Sequence, residues 1–89
     1  MAVWGLDVEQ VRTLSSKLNQ EASAIQQILS SLTSQLSGTQ WTGPDSEHFR
    51  SDWSGQHTAA LNKVIAALQE ASQKAQANAT AQETTSNAN

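Results

Sequence analysis

The spacing of apolar residues in the first half of the chain constrains the fold most strongly. From Val8 to Leu36 they recur at steps of three and four, which places side chains along one face of a helix and not of a strand. Asp7 precedes this stripe and Gln10 stands three residues later, a capping-box spacing typical of a helix start. The pattern predicts a first helix over 8–37. Its stripe comprises Val8, Val11, Leu14, Leu18, Ala22, Ile25, Leu29, Leu32 and Leu36, and Ile28 widens it.

A breaker cluster, Gly38 to Pro44, ends this helix and predicts a turn over 38–43. Pro44 suits the first position of a second helix, where its missing N–H costs nothing. A further apolar stripe then predicts that helix over 44–78, which completes a hairpin domain over 1–78. The polar, aperiodic tail 79–89 is expected to be disordered, because its little apolar area cannot offset the entropy of ordering. The second stripe comprises Phe49, Trp53, Gln56/His57, Ala60, Leu61, Val64, Leu68, Ala71 and Ala75.

Two long helices with a short connection predict an all-α fold, an antiparallel helix-turn-helix hairpin. The stripes are wider than one neighbouring helix can cover, and large exposed apolar patches usually mark an interface. We therefore expect two hairpins to dimerise into a four-helix bundle. The residues predicted for the hairpin and dimer interface are Val11, Leu14, Leu18, Ile25, Ile28, Leu29, Leu32, Leu36, Phe49, Trp53, Leu61, Val64 and Leu68.

Composition excludes several classes of protein. The 89 residues include no cysteine, which excludes disulfides, thiol chemistry and cysteine-ligated zinc. Five basic residues are scattered singly and the net charge is −3, which argues against nucleic-acid binding. No apolar run approaches the ~18 residues of a membrane span, so we expect no stable membrane insertion. The start of the chain lacks the basic and apolar regions of a cleavable signal peptide.

Few side chains suggest chemistry. His48 and Asp52 have i,i+4 spacing, but a metal site needs about four converging ligands, and His57 falls on a different part of the helix surface. No serine sits in a nucleophile elbow. We expect no metal, no cofactor and no enzymatic activity. Trp4, before the helix cap, is expected to pack on the bundle, with contact to a membrane as the alternative.

The turn itself contains the motif Trp41-Thr42-Gly43 between two helical arms, in a chain slightly under a hundred residues long. This combination resembles the WXG family, the early-secreted-antigen-like small substrates of type VII secretion in actinobacteria and firmicutes. The likeness covers Asp7 to about Asn78. Phe49 and Trp53 also fit the bulky apolar positions of the family's second helix.

The resemblance implies a binding protein that is cytoplasmic before export and then secreted without a cleavable signal peptide. Its partners would be a second copy or a paralogous WXG chain, the type VII export ATPase and, in some cases, a larger secreted toxin. The turn at Trp41 and Gly43 would form part of the surface that the export machinery recognises. Trp41 can also simply plug the end of the bundle, and the two roles are compatible.

One family feature is absent. Members often have a Tyr-x-x-x-Asp/Glu export signal after the second helix, but this chain contains no tyrosine, and Ala79 stands four residues before the tail acid Glu83. A partner would then supply the signal. Three alternatives remain: a chaperone or targeting subunit for a larger type VII toxin, a membrane-active effector, and an intracellular structural hairpin.

Overall fold

A computed structural model describes residues 5–87, and their side chains as far as residue 85; Trp4 lies outside this part. Every element in the described part is helical. Helix α1 spans Val8–Ser37 and α2 spans Pro44–Asp52. A π-helical segment, Trp53–His57, leads directly into α3, Thr58–Asn87. Residues 44–87 therefore form one continuous arm beside α1, in a rod of 68 × 17 × 16 Å.

Helix α1 has the bounds that its stripe predicts. The Asp7 side chain accepts a hydrogen bond from the Gln10 backbone N–H at 3.0 Å, which is the predicted N-terminal cap. At the other end, Gly38 N–H donates to the Ser34 carbonyl at 3.1 Å. The Thr39 hydroxyl donates to the Gln35 carbonyl at 2.7 Å. These bonds satisfy carbonyls that a helix end otherwise leaves free.

The two arms run antiparallel and pack through a seam of residues spaced alternately three and four apart, with one step of seven from Leu29 to Leu36 on α1. The Ser15 and Ser72 hydroxyls each donate to the other residue's carbonyl, at 2.8 and 2.7 Å, while Trp53 bonds Thr33 near the turn. Alternating steps of three and four residues between packed positions are typical of a coiled coil. The seam consists of Val8, Val11, Ser15, Leu18, Ala22, Ile25, Leu29 and Leu36 on α1, and of Thr58, Leu61, Ile65, Leu68, Ser72, Ala75, Ala79 and Gln82 on α3.

The π-helical segment corrects the predicted stripe of the second arm. His57, Ala60 and Val64 were expected on the packed face, but all three are exposed. Uninterrupted α-helix after Trp53 would put residue 57 on the seam, whereas a π-turn accommodates one extra residue. Thr58 and Ile65 take the places expected for His57 and Val64, whereas Leu61, Leu68 and Ala75 lie on the seam as predicted.

The predicted disorder of the tail is wrong for residues 79–87, which continue α3. Ala79 is completely buried and follows Ile65 and Ser72 at steps of seven residues, so the seam extends into the tail. Glu83 then accepts two hydrogen bonds from the Arg12 guanidinium, at 2.9 and 3.0 Å. A small residue at the right spacing and one cross-arm ion pair therefore order a segment that has little apolar area.

The core of this hairpin is thin. The buried apolar residues of the described part are Ala22, Ile65 and Ala79, and no large side chain there is completely buried. A small core of this kind supplies little stability to a single chain. No helix in residues 5–87 has the length and apolar character needed to cross a membrane.

Candidate functional site

The turn end of the rod presents an aromatic pair. Trp41 and Phe49 keep 40% and 47% of their surface exposed, and their ring centroids lie 5.3 Å apart at an interplanar angle of 55°. This tilted geometry is one that aromatic pairs favour. Within the described residues the indole N–H of Trp41 has no hydrogen-bond partner. The pair is therefore an apolar surface with an unused donor at its edge.

Gly43 sets the path of the chain from this surface into α2. Its φ of 113° and ψ of 175° lie where side chains are rarely tolerated. A Cβ built on Gly43 would meet no atom within 4 Å, so the requirement comes from the backbone and not from space. Pro44 follows as the first residue of α2, and the Glu47 N–H donates to the Gly43 carbonyl at 3.1 Å.

Two polar side chains of α2 hold the turn from inside. Ser46 is only 2% exposed, and its hydroxyl donates to the Trp41 carbonyl at 2.8 Å. The same hydroxyl accepts a bond from Arg50 Nε at 2.9 Å. The two remaining Arg50 nitrogens donate to the Leu36 carbonyl at 2.7 Å and to the Thr39 carbonyl at 2.9 Å. One guanidinium thus joins the end of α1, the turn and α2.

Trp53 has a different role from Trp41. Its indole Nε1 donates to the Thr33 hydroxyl on α1 at 2.9 Å, and its ring lies 6.3 Å from the ring of His57. The Thr58 hydroxyl also bonds the Trp53 carbonyl at 2.6 Å, across the π-helical segment. Trp53 therefore joins the two arms below the turn.

A second exposed apolar surface runs along one flank of the rod, and we term it the lateral strip: Leu14, Ile28, Leu32 and Val64. These four side chains are between 45% and 53% exposed. Leu14, Ile28 and Val64 each stand one residue before a seam residue and so lie on the same side of the seam, whereas Leu32 falls at the seam's own spacing between Leu29 and Leu36 but stays 45% exposed. They belong to the predicted interface, and the hairpin alone does not cover them.

The opposite flank is polar. Residues one position after the seam include Arg12 and Glu83, whose ion pair fixes the side on which they lie. An open groove of about 670 Å³ on this flank is lined by Asn19, Gln69 and Gln76 together with the two seam serines. The hydrogen bonds from Arg12, and then its charge, lower the pKa of the Glu83 carboxyl, and the same contact raises the pKa of Arg12.

The other predicted interface residues lie between these surfaces. They are half-buried along the seam or, in the case of Trp53, beside the turn: Val11, Leu18, Ile25, Leu29, Leu36, Trp53, Leu61 and Leu68. His48 and His57 are both exposed, and no group of three or more histidine, aspartate or glutamate side chains in residues 5–87 is placed to hold a metal ion.

Sequence reasoning missed Ser46 and Arg50. One signal for Arg50 was available: it is the single arginine or lysine between Lys17 and Lys63, and α1 has no basic residue in its own last turn. Comparisons of the chain with protein-family models, with curated proteins and with solved structures found no match. The resemblance to the WXG family therefore rests on the turn motif and the two arms alone.

Proposed function

We propose that this protein is a non-enzymatic substrate or co-secreted partner of a type VII secretion system. In this proposal two hairpins assemble into a four-helix bundle, and each presents the turn at Trp41 and Gly43 to an export ATPase. The observation that carries the proposal is the exposed Trp41–Phe49 pair at the end of a helical hairpin. Its exposed rings suit docking to an apolar site on a partner.

The amount of uncovered surface supports assembly with a second hairpin. The accessible surface is 6715 Å², whereas a compact monomer of this mass exposes about 5,000 Å². Part of the excess follows from the rod shape, but the lateral strip adds apolar side chains that remain half exposed. Burial of the strip against a second hairpin would supply the core that one chain lacks. The partner is a second copy or a paralogous chain.

Secretion from a bacterium with a functioning type VII system tests the proposal. The chain is expressed with a WXG partner that carries the tyrosine motif, and both are measured in the culture medium. We expect secretion that stops when the export ATPase is deleted and falls strongly for Trp41→Ala, while Trp53→Phe is exported normally. Equal secretion with and without the ATPase would contradict the proposal.

A chaperone or targeting role is the second candidate, because this chain lacks the tyrosine of the family's export signal. In that role the chain would bind a longer secreted toxin and enter the machinery with it. To distinguish the chaperone role from the substrate role, secretion of the small partner and of the toxin is measured with and without this chain. A chaperone is required for the toxin and has little effect on other substrates.

A further inference from the structure

Arg50 is linked to both members of the Trp41–Phe49 pair through the backbone and one hydrogen-bonded side chain. It lies one residue after Phe49 and reaches the Trp41 carbonyl through a single intermediate, the Ser46 hydroxyl. In the described part of the chain no carboxylate forms a salt bridge with Arg50, although Asp45, Glu47 and Asp52 all lie on the same helix. Its three contacts are instead with two backbone carbonyls and one hydroxyl.

These contacts also give α1 the positive charge that its own last turn lacks. The carboxyl end of a helix carries partial negative charge, and a cation there is favourable. The planar guanidinium donates in three directions at once, to Leu36, Thr39 and Ser46. Lysine offers a similar charge from one flexible point and does not reproduce this fixed fork.

We infer that Arg50 is a positioning residue for recognition: it holds Trp41 in a preformed orientation, so that a partner binds an already ordered aromatic pair. Without Arg50, the Ser46 hydroxyl still donates to the Trp41 carbonyl but no longer accepts a hydrogen bond from the guanidinium. The guanidinium bonds to the Leu36 and Thr39 carbonyls are lost as well. A partner must then order the turn as it binds, which weakens binding. The identity of that partner rests on the proposed function, whereas the ordering of Trp41 does not.

The indole N–H groups report this ordering directly by ¹⁵N relaxation. Arg50→Gln and Arg50→Lys are compared with Arg12→Gln, which removes a cross-arm guanidinium from the opposite end of the rod. We expect the order parameter of the Trp41 indole to fall from about 0.85 to below about 0.6 in both Arg50 variants and to stay unchanged in Arg12→Gln. Trp53, anchored on Thr33, is the internal control and should stay rigid in all three.

Arg50→Lys separates positioning from general stability. Because it keeps a positive charge near the end of α1, its melting temperature should stay closer to that of the wild type than that of Arg50→Gln. Its Trp41 indole should nevertheless become mobile. A Trp41 indole that stays rigid in both variants would overturn the inference without affecting the proposed function.

The secretion assay gives the functional half of the test. Loss of export for Arg50→Gln, approaching that of Trp41→Ala, with normal export of Arg12→Gln, supports the inference. Normal export of Arg50→Gln alongside failure of Trp41→Ala would overturn it, because recognition would then need the side chain and not its ordering. If neither Trp41→Ala nor Arg50→Gln affects export, the proposed function is wrong, and the relaxation data alone decide whether Arg50 orders Trp41.

Discussion

At the scale of single residues, only some of the residues that form the turn could be predicted from the sequence. Trp41 and Gly43 are recognisable in the sequence, because they form a Trp-x-Gly motif between two predicted helices. Ser46 and Arg50 are not, since each acts through contacts that exist only after the turn has folded back onto α2. A sequence pattern shows which residues share a helix face, but not which carbonyl a long side chain reaches.

Gly43→Ala tests the backbone requirement at the turn. Because φ is 113° there, we expect alanine to lower the free energy of unfolding by about 1–2 kcal/mol. Gly55→Ala is the matched control: Gly55 lies in a helix with open space where a Cβ would stand. That substitution should stabilise by about 0.5–1 kcal/mol. Urea unfolding followed by circular dichroism measures both, and equal effects at the two glycines would contradict the assignment.

At the scale of secondary structure, the bounds of the first helix were predictable from end to end, and the packed face of the second arm was predictable only in part. Apolar residues occupy both candidate faces of the second arm, as the neighbours Val64 and Ile65 show. A pattern search assumes an unbroken α-helix and therefore mixes the two faces: Leu61, Leu68 and Ala75 were placed correctly, whereas His57, Ala60 and Val64 were not. The end of α3 was missed for a related reason, because a seam built from Ser72 and Ala79 has no conspicuous hydrophobic signal.

Deletion of Gly55 tests the π-helical segment. Removal of one residue should convert it to α-helix while Trp53 keeps its place beside the turn and Thr58 its place on the seam. We expect the variant to fold with unchanged helix content and at least the wild-type melting temperature. Deletion of Gln20, an exposed residue of α1, is the control, and it should destabilise strongly because it rotates half of that helix away from the seam. Comparable losses in both deletions would exclude the proposed register.

The ion pair between Arg12 and Glu83 makes the stability of the tail depend on pH. The folded-state pKa of Glu83 is lowered, so its contribution is complete above the ordinary glutamate pKa of about 4.3 and is lost as pH falls through the folded value. Melting temperatures of wild type and Glu83→Gln should therefore differ at neutral pH and converge in acid.

Glu70→Gln is the control for this comparison. It removes the carboxylate of an exposed pair with Lys74 on the same helix, which contributes little. We expect its melting temperature to stay near that of the wild type throughout. A difference between wild type and Glu83→Gln that persists unchanged in acid would show that the carboxylate charge is not the cause.

At the scale of the whole molecule, the two flanks of the rod differ in character. Glutamine, asparagine and the Arg12–Glu83 ion pair occupy one flank, whereas the other carries the lateral strip together with the exposed Lys17–Glu21 ion pair. The hairpin follows from the sequence, because helical spacing and a single strong breaker leave few other arrangements. Assembly into a bundle remains a prediction, since apolar width indicates that a surface needs cover and does not identify what covers it.

Ile28→Asp tests the lateral strip. Ile28 is half exposed in the single hairpin, so aspartate there should leave the hairpin folded but place a charge inside a dimer, at a cost of several kcal/mol. Light scattering over a dilution series should give twice 9.5 kDa for the wild type and a monomer for the variant. Gln27→Asp adds the same charge on the adjacent, exposed polar face and should remain dimeric.

A dimeric Ile28→Asp would exclude the strip as the interface. If the wild type is itself a monomer or partly unfolded when purified alone, its partner is a different chain. The same substitution should then prevent assembly with a paralogous WXG protein, and the missing tyrosine motif is expected on that partner.

The antiparallel seam determines how the rod responds to mechanical force. Val8 begins α1 and Asn87 ends α3, both towards the end of the rod opposite the turn, so a pull between them loads the cross-arm contacts one at a time. Arg12–Glu83 would separate first, the paired serines next and Trp53–Thr33 last. The hairpin would therefore unzip at low force from its open end, with the Trp41 turn as the last region to come apart.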